Sequence, residues 1–232
     1  MLKTRIIPCL DVIKNKVVKG VNFKNIKVMG NAIEMAKNYS LSGADELCML
    51  DINASYQNRK TFIKTVEAIA KVINIPLTVG GGVSTLSDIT DLLNAGADKV
   101  SINSAAVKNP KIIKQASLRH GSQCIVVAID AKRHENQMRV VVKGGREITS
   151  KELVSWAKKV QLLGAGEILL TSMDTDGVQN GFDSTMLKKV TNNVSLPVIA
   201  SGGVGNLEHF YLGHLTKSTG LLAACLLYTS PS

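Results

Sequence analysis

Three segments of this chain recur about 120 residues further on, in the same order. Ile7-Pro8-Cys9-Leu10-Asp11 returns as Val126-Val127-Ala128-Ile129-Asp130, and Gly43-Ala44-Asp45-Glu46-Leu47 returns as Gly164-Ala165-Gly166-Glu167-Ile168. Ile75-Pro76-Leu77-Thr78-Val79-Gly80-Gly81-Gly82-Val83 returns as Leu196-Pro197-Val198-Ile199-Ala200-Ser201-Gly202-Gly203-Val204. Each copy holds four apolar runs alternating with segments of helical period. Doubled, that makes eight βα units, and the lack of a Pro/Gly/Ser-rich linker argues for one domain over residues 1–232. The halves are expected at about 1–121 and 122–225, with 226–232 as an aberrant tail.

Strands are expected at Arg5–Asp11, Glu46–Asp51, Leu77–Val79, Lys99–Asn103, Cys124–Asp130, Glu167–Thr171, Val198–Ala200 and Leu221–Ala224. All are short, β-branched and bounded by turn residues. Helical period marks Ala32–Ser42, Thr61–Ile73, Thr85–Ala95, Pro110–His120, Ser150–Leu163 and Ser184–Thr191. Near-continuous apolar strands flanked by helices belong to parallel sheets covered on both faces. Regular alternation of eight such units is the pattern of a (β/α)8 TIM barrel, whose chemistry sits at the C-terminal ends of the strands.

Two longer connections follow the first and fifth strands. Val12–Gly30 carries Lys14, Lys16, Lys19, Lys24 and Lys27 and reads either as a lid or as an ordinary solvated loop. Ala131–Thr149 contains Met138–Val142, which reads as part of a small hairpin.

The formal charge of +10 calls for anionic partners. The cations are scattered, without a basic run or interleaved aromatics, so phosphorylated small molecules fit better than nucleic acid. Cys9, Cys48, Cys124 and Cys225 show no metal-ligand spacing, and the first three lie in apolar strand runs. Reduced buried thiols are expected, with no disulfide, metal or other cofactor. No secretory leader and no apolar run of about 18 residues is seen, so a cytoplasmic protein away from membranes is expected.

Phosphate is the ligand most directly indicated. Gly80-Gly81-Gly82 and Gly202-Gly203 follow equivalent strands of the two repeats and expose backbone N–H groups. Asn103-Ser104 and Ala224-Cys225 take the matching positions after the next strands. Helix N-termini and glycine turns bind phosphate in this way, so the repeat predicts two phosphate sites. Valine at Gly82 or Gly203 is expected to obstruct phosphate without unfolding the barrel.

Asp11 and Asp130 each end a strand on the active face, where partial burial raises a carboxyl's pKa towards working pH. They are the acid–base candidates, with structural carboxylates as the alternative. Asp51 and Asp176-Gly177 sit at similar strand ends and read as substrate-binding or loop-ordering groups. At the opposite ends, Arg5, Glu46, Lys99 and Glu167 each begin a strand. They read as a salt-bridged plug, as a gate for something small, or as a contribution to stability alone.

The motifs Arg5-Ile6-Ile7-Pro8-Cys9-Leu10-Asp11-Val12, Val17-Val18-Lys19-Gly20, Ala97-Asp98-Lys99-Val100-Ser101-Ile102-Asn103 and Val127-Ala128-Ile129-Asp130-Ala131-Lys132-Arg133 resemble the cyclase subunits of imidazole glycerol phosphate synthase. So do Gly166-Glu167-Ile168-Leu169-Leu170-Thr171-Ser172 and Ala200-Ser201-Gly202-Gly203. The resemblance implies a substrate with phosphoribulosyl and phosphoribosyl ends, and ammonia supplied by a glutaminase docked on the N-terminal face near Asp98. It implies that Asp11 and Asp130 close the imidazole ring and cleave a C–N bond, forming imidazole glycerol phosphate and aminoimidazole carboxamide ribonucleotide. It adds Lys19, Thr171 and Ser201 to the substrate contacts and makes the four-charge ring an ammonia gate.

After Ala224 the resemblance fails: Cys225-Leu226-Leu227-Tyr228-Thr229-Ser230-Pro231-Ser232 stands where the family has a turn and a final helix, and Lys217-Ser218-Thr219 replaces Gly-Ala-Asp. Absence of such a helix is expected to remove about 6–12 kcal/mol of apolar burial. Two rival functions are the related phosphoribosylformimino isomerase and a non-catalytic docking subunit.

Overall fold

The computed structural model describes residues 3–21, 24–53 and 59–224, of which 20–21, 24–26 and 59 are described by backbone alone. The fold is a (β/α)8 barrel. Its described residues group into two compact units: 5–101 with 223–224, and 3–4 with 102–222.

The first unit runs β1 (Arg5–Ile13), β2 (Lys16–Val21), β3 (Lys24–Asn31), α1 (Ala32–Leu41), β4 (Leu47–Asp51), α2 (Arg59–Ala70), β5 (Leu77–Gly80), α3 (Leu86–Asn94) and β6 (Lys99–Ile102). β1, β4, β5 and β6 pair in parallel in that order, with Cys9 opposite Cys48, Leu50 opposite Gly80 and Val79 opposite Val100. Leu10, Leu47, Met49, Val79 and Val100 have no exposure to speak of. Cutting such a side chain to alanine in a packed core costs about 2–5 kcal/mol.

The second unit runs α4 (Ser104–Lys108), α5 (Lys111–His120), β7 (Ile125–His134), β8 (Gln137–Val142), β9 (Glu147–Glu152), α6 (Leu153–Leu162), β10 (Glu167–Ser172), α7 (Ser184–Thr191), β11 (Val198–Ser201), α8 (Leu207–His214) and β12 (Gly220–Ala224). β7, β10, β11 and β12 again pair in parallel.

The repeat extends to the hairpins. β2 turns back antiparallel on β1, and β8 turns back antiparallel on β7. Both turns have two left-handed residues, Lys14-Asn15 (φ 46° and 65°) and Glu135-Asn136 (φ 46° and 62°). That is the backbone of a type I′ turn, whose twist matches the flanking strands and which favours asparagine. Val12–Gly30 is therefore mostly hairpin, where the sequence reads as a lid or a solvated loop; Asn22 and Phe23 lie outside the described residues.

Caps set the helix starts. Thr85 and Asp88 form a reciprocal capping box on α3, while Asn31, Asp183 and Asn206 accept from backbone N–H groups of α1, α7 and α8. Glu152 caps α6, so that helix begins at Leu153 and Ser150–Glu152 is strand, against the expected Ser150 start. α4 and α8 have no counterpart among the expected helices. Cys9 and Cys48 are buried, but Cys124 is part-exposed in a single helical turn ahead of β7 rather than inside the strand.

Candidate active site

In the unit formed by residues 102–222, parallel register puts Asp130 beside Thr171, and Thr171 beside Ser201. One row of three polar residues thus crosses the C-terminal ends of β7, β10 and β11. The side-chain amide of Asn103 donates to Asp130 Oδ2 at 2.9 Å. Burial away from water pushes the Asp130 carboxyl up to about 6. The Asn103 amide and the Thr171 hydroxyl pull it down, and the charge of Asp176 pushes it up. Asp176 is itself raised by burial. A carboxyl near 6 exchanges its proton at neutral pH, which is what general acid–base work asks of it. The side-chain oxygen Oδ1 of Asn103 is buried with no hydrogen-bond partner.

Asn103 stands just past β6, at the N-terminal boundary of α4, with φ −121° and ψ −96°. Ser104 begins that helix, and its hydroxyl accepts from Lys143 N at 3.2 Å, tying the helix to the turn after β8.

The loop after β10 carries Asp176 and Gly177, and the loop after β11 carries Gly202 and Gly203. The two are laced together: Thr175 Oγ1 donates to Gly202 O at 3.1 Å, and Gly181 N donates to Gly203 O at 2.7 Å. Gly203 has φ +102°, and an added Cβ would sit 2.2 Å from Gly181 O. The space freed by this missing side chain is taken by protein backbone, so valine there would disrupt the loop itself, contrary to expectation. Gly81 repeats the relationship in the other unit, at φ +92° with a Cβ position 2.2 Å from Asp51 O. Gly82, at φ +62°, follows it. Ala224 ends β12 and is exposed; Cys225 and residues 226–232 lie outside the described residues.

In the unit formed by residues 5–101, Asp11 lies on β1 opposite Leu50, which lies opposite Gly80, so the two positions next to it are apolar where those next to Asp130 are Thr171 and Ser201. Asp51 is buried and accepts from Asn53 N at 3.0 Å, a loop-ordering role. Lys19 is half-buried on β2, opposite Lys27. At the strand starts, Glu46 is almost fully buried and takes Arg5 at 2.5 Å, Lys99 at 2.9 Å and the Thr78 hydroxyl at 2.6 Å. Three of the four expected ring residues thus meet on one carboxylate. Glu167 is buried at the start of β10 in the other unit. Thr78 is an addition, a hydroxyl in a short apolar strand that no sequence pattern marks. Asp98 is exposed and accepts from Leu77 N at 2.8 Å. Among the described residues, no group of three or more His, Cys, Asp or Glu side chains is arranged to hold a metal ion.

A family model described as "Histidine biosynthesis protein" matches residues 5–231. Proteins named "Imidazole glycerol phosphate synthase subunit HisF" are similar over nearly all of the chain. That of Prochlorococcus marinus (strain MIT 9515) is 58% identical over 214 residues, covering 91% of this chain and 83% of its own. That of Prochlorococcus marinus subsp. pastoris (strain CCMP1986 / NIES-2087 / MED4) is 54% identical over 232 residues, covering 98% and 91%. That of Endomicrobium trichonymphae is 54% identical over 229 residues, covering 98% and 88%.

The chain belongs to the HisF family. It is therefore an enzyme subunit of histidine biosynthesis, and membership of a HisF synthase subunit family implies a partner subunit.

Proposed function

We propose that this chain is the cyclase of a lyase-type imidazole glycerol phosphate synthase. With ammonia from a glutaminase subunit, it converts a phosphoribulosyl-formimino aminoimidazole carboxamide ribonucleotide into imidazole glycerol phosphate and aminoimidazole carboxamide ribonucleotide. The observation that carries this reading is Asp130: a buried carboxyl raised to about 6, held by two neutral donors at a strand's C-terminal end. Asp130 and Asp11 move protons during ring closure and C–N cleavage. Neither ends its strand, since β1 runs on to Ile13 and β7 to His134, but each lies one residue before the end of the parallel-paired stretch of the first strand of its repeat.

The two glycine turns, with Asn103-Ser104 and Ala224-Cys225, receive the substrate's two phosphates through backbone N–H groups. Thr171, Asp176, Gly177 and Ser201 line the same end of the strands, and Lys19 on its hairpin closes over the substrate. Arg5, Glu46, Lys99 and Glu167 gate ammonia entering from the glutaminase, which docks on the N-terminal face around Asp98. The cluster of Arg5, Lys99 and Thr78 on Glu46 supports the gate. The cytoplasm is the proposed compartment; among the described residues no helix is long and apolar enough to cross a membrane.

The test is the bisphosphate substrate with ammonium salt at alkaline pH and no glutaminase. Formation of both products supports the cyclase. Isomerisation of the substrate would identify the rival enzyme, and no turnover would leave a docking subunit.

A further inference from the structure

The loop after β11 is fixed peptide by peptide. The carbonyl of Gly202 accepts from Thr175, and that of Gly203 accepts from Gly181. In a trans peptide the N–H points opposite to the C=O, so these bonds turn the N–H groups of Gly203 and Val204 away from the β10 loop. The next peptide is held from the other side: Gly205 N donates to His209 Nδ1 at 2.9 Å. His209 is half-buried on the first turn of α8, and its own N–H donates to Asn206 Oδ1 at 3.1 Å. Its imidazole packs beside Gly181, where an added Cβ would come within 3.5 Å of the ring. Gly205 leaves no room for a side chain, since a Cβ there would lie 2.4 Å from Gln179 O. One side chain therefore closes residues 202–206 at their helical end.

We propose that His209 is the positioning residue of the 202–206 loop. Its neutral Nδ1 acts as the acceptor that holds the 204–205 peptide in the one orientation that keeps the preceding N–H groups aimed at a phosphate. The inference rests on the reading that this loop receives one phosphate of the substrate. His209 itself does not touch the ligand; it acts through Gly205.

The test uses the full chain and three variants. His209→Asn places an amide oxygen near the Nδ1 position and keeps the acceptor. His209→Ala removes it, and His209→Phe keeps a ring without it. Two quantities are read: the binding of inorganic phosphate by calorimetry, and kcat and KM for the bisphosphate substrate with ammonium salt. His209→Ala and His209→Phe should weaken phosphate at one site and raise KM by about tenfold, the effect of one lost hydrogen bond. Saturated kcat should stay within about twofold, and His209→Asn should restore both constants to within about threefold of the parent. Unchanged phosphate affinity in His209→Phe would overturn the proposal. So would an Asn variant as impaired as Phe, because ring packing rather than the acceptor would then be responsible. If the parent binds phosphate in this pattern yet fails to cyclise the substrate, the positioning role stands and the proposed reaction falls.

Discussion

The side-chain amide of Asn103 donates to Oδ2 of Asp130 at 2.9 Å, so a neutral group bears directly on the protonation of the candidate acid. Burial and the nearby Asp176 favour the protonated carboxyl, while Asn103 and Thr171 favour the ionised one. The balance leaves it near 6.

Asn103→Leu removes one of the two donors that stabilise the charge. The Asp130 titration, followed by carboxyl ¹³C NMR, should move above its parent value of about 6. A midpoint that stays or falls would mean that the amide does not control this carboxyl.

Linkage gives a second expectation. In the folded chain Asp130 titrates at about 6 against an ordinary value of 3.8, so the folded state holds a proton that the unfolded state has released. Stability associated with this group is thus fully present below about 4 and is lost as pH rises through about 6, a cost of about 3 kcal/mol above that window. Asp130→Asn stays neutral throughout. It should be more stable than the parent at pH 8 by up to about 3 kcal/mol in urea unfolding, with the gain vanishing near pH 4. A variant that loses stability at pH 8 would contradict the buried, raised carboxyl.

The glycine turns give a contrast between two sites. Gly177 has φ +76° with nothing within 4 Å of an added Cβ, while Gly203 would meet Gly181 O at 2.2 Å. Gly177→Ala should cost only the left-handed strain, about 1–2 kcal/mol. Gly203→Ala should cost more, by denaturant midpoint. Equal losses would show that the lacing of the two loops contributes nothing.

Periodicity and β-branched runs made the eight parallel strands legible, since strands covered on both faces are written as continuous apolar residues. The first hairpin was harder to read. Val17-Val18 and Ile26-Lys27-Val28 are short and lysine-rich, and the signal that fixes them is Lys14-Asn15, a turn that needs two left-handed residues. α4, five residues long, is below the length at which a helical period can be read, and α8 carries Leu207, Tyr211 and Leu212 exposed, with Leu215 just past its end, which blurs its apolar face. Among the site residues, Asp11 and Asp130 stood out because the repeat doubles them. The glycine turns stood out as open space, but that space at Gly203 belongs to the neighbouring loop. No pattern marked His209 or Thr78, whose roles depend on which backbone or carboxylate lies across from them.

Lys99→Ala separates a gate from a strut. Glu46 would keep Arg5 and Thr78 but lose one cation at 2.9 Å. Turnover with ammonium salt should change little, and glutamine-driven turnover with the partner subunit should fall. Parallel loss of both activities and of melting temperature would assign the cluster to stability alone.

Acid–base catalysis of cyclisation by Asp130 is tested most directly by Asp130→Asn in single-turnover assays with the bisphosphate substrate and saturating ammonium salt. Loss of a general acid–base group lowers the rate by about 10²–10⁴-fold. The variant should therefore bind substrate as the parent does and form imidazole glycerol phosphate at least about 100-fold more slowly. A rate within about threefold of the parent would remove Asp130 from the chemistry and leave its raised carboxyl without a catalytic role.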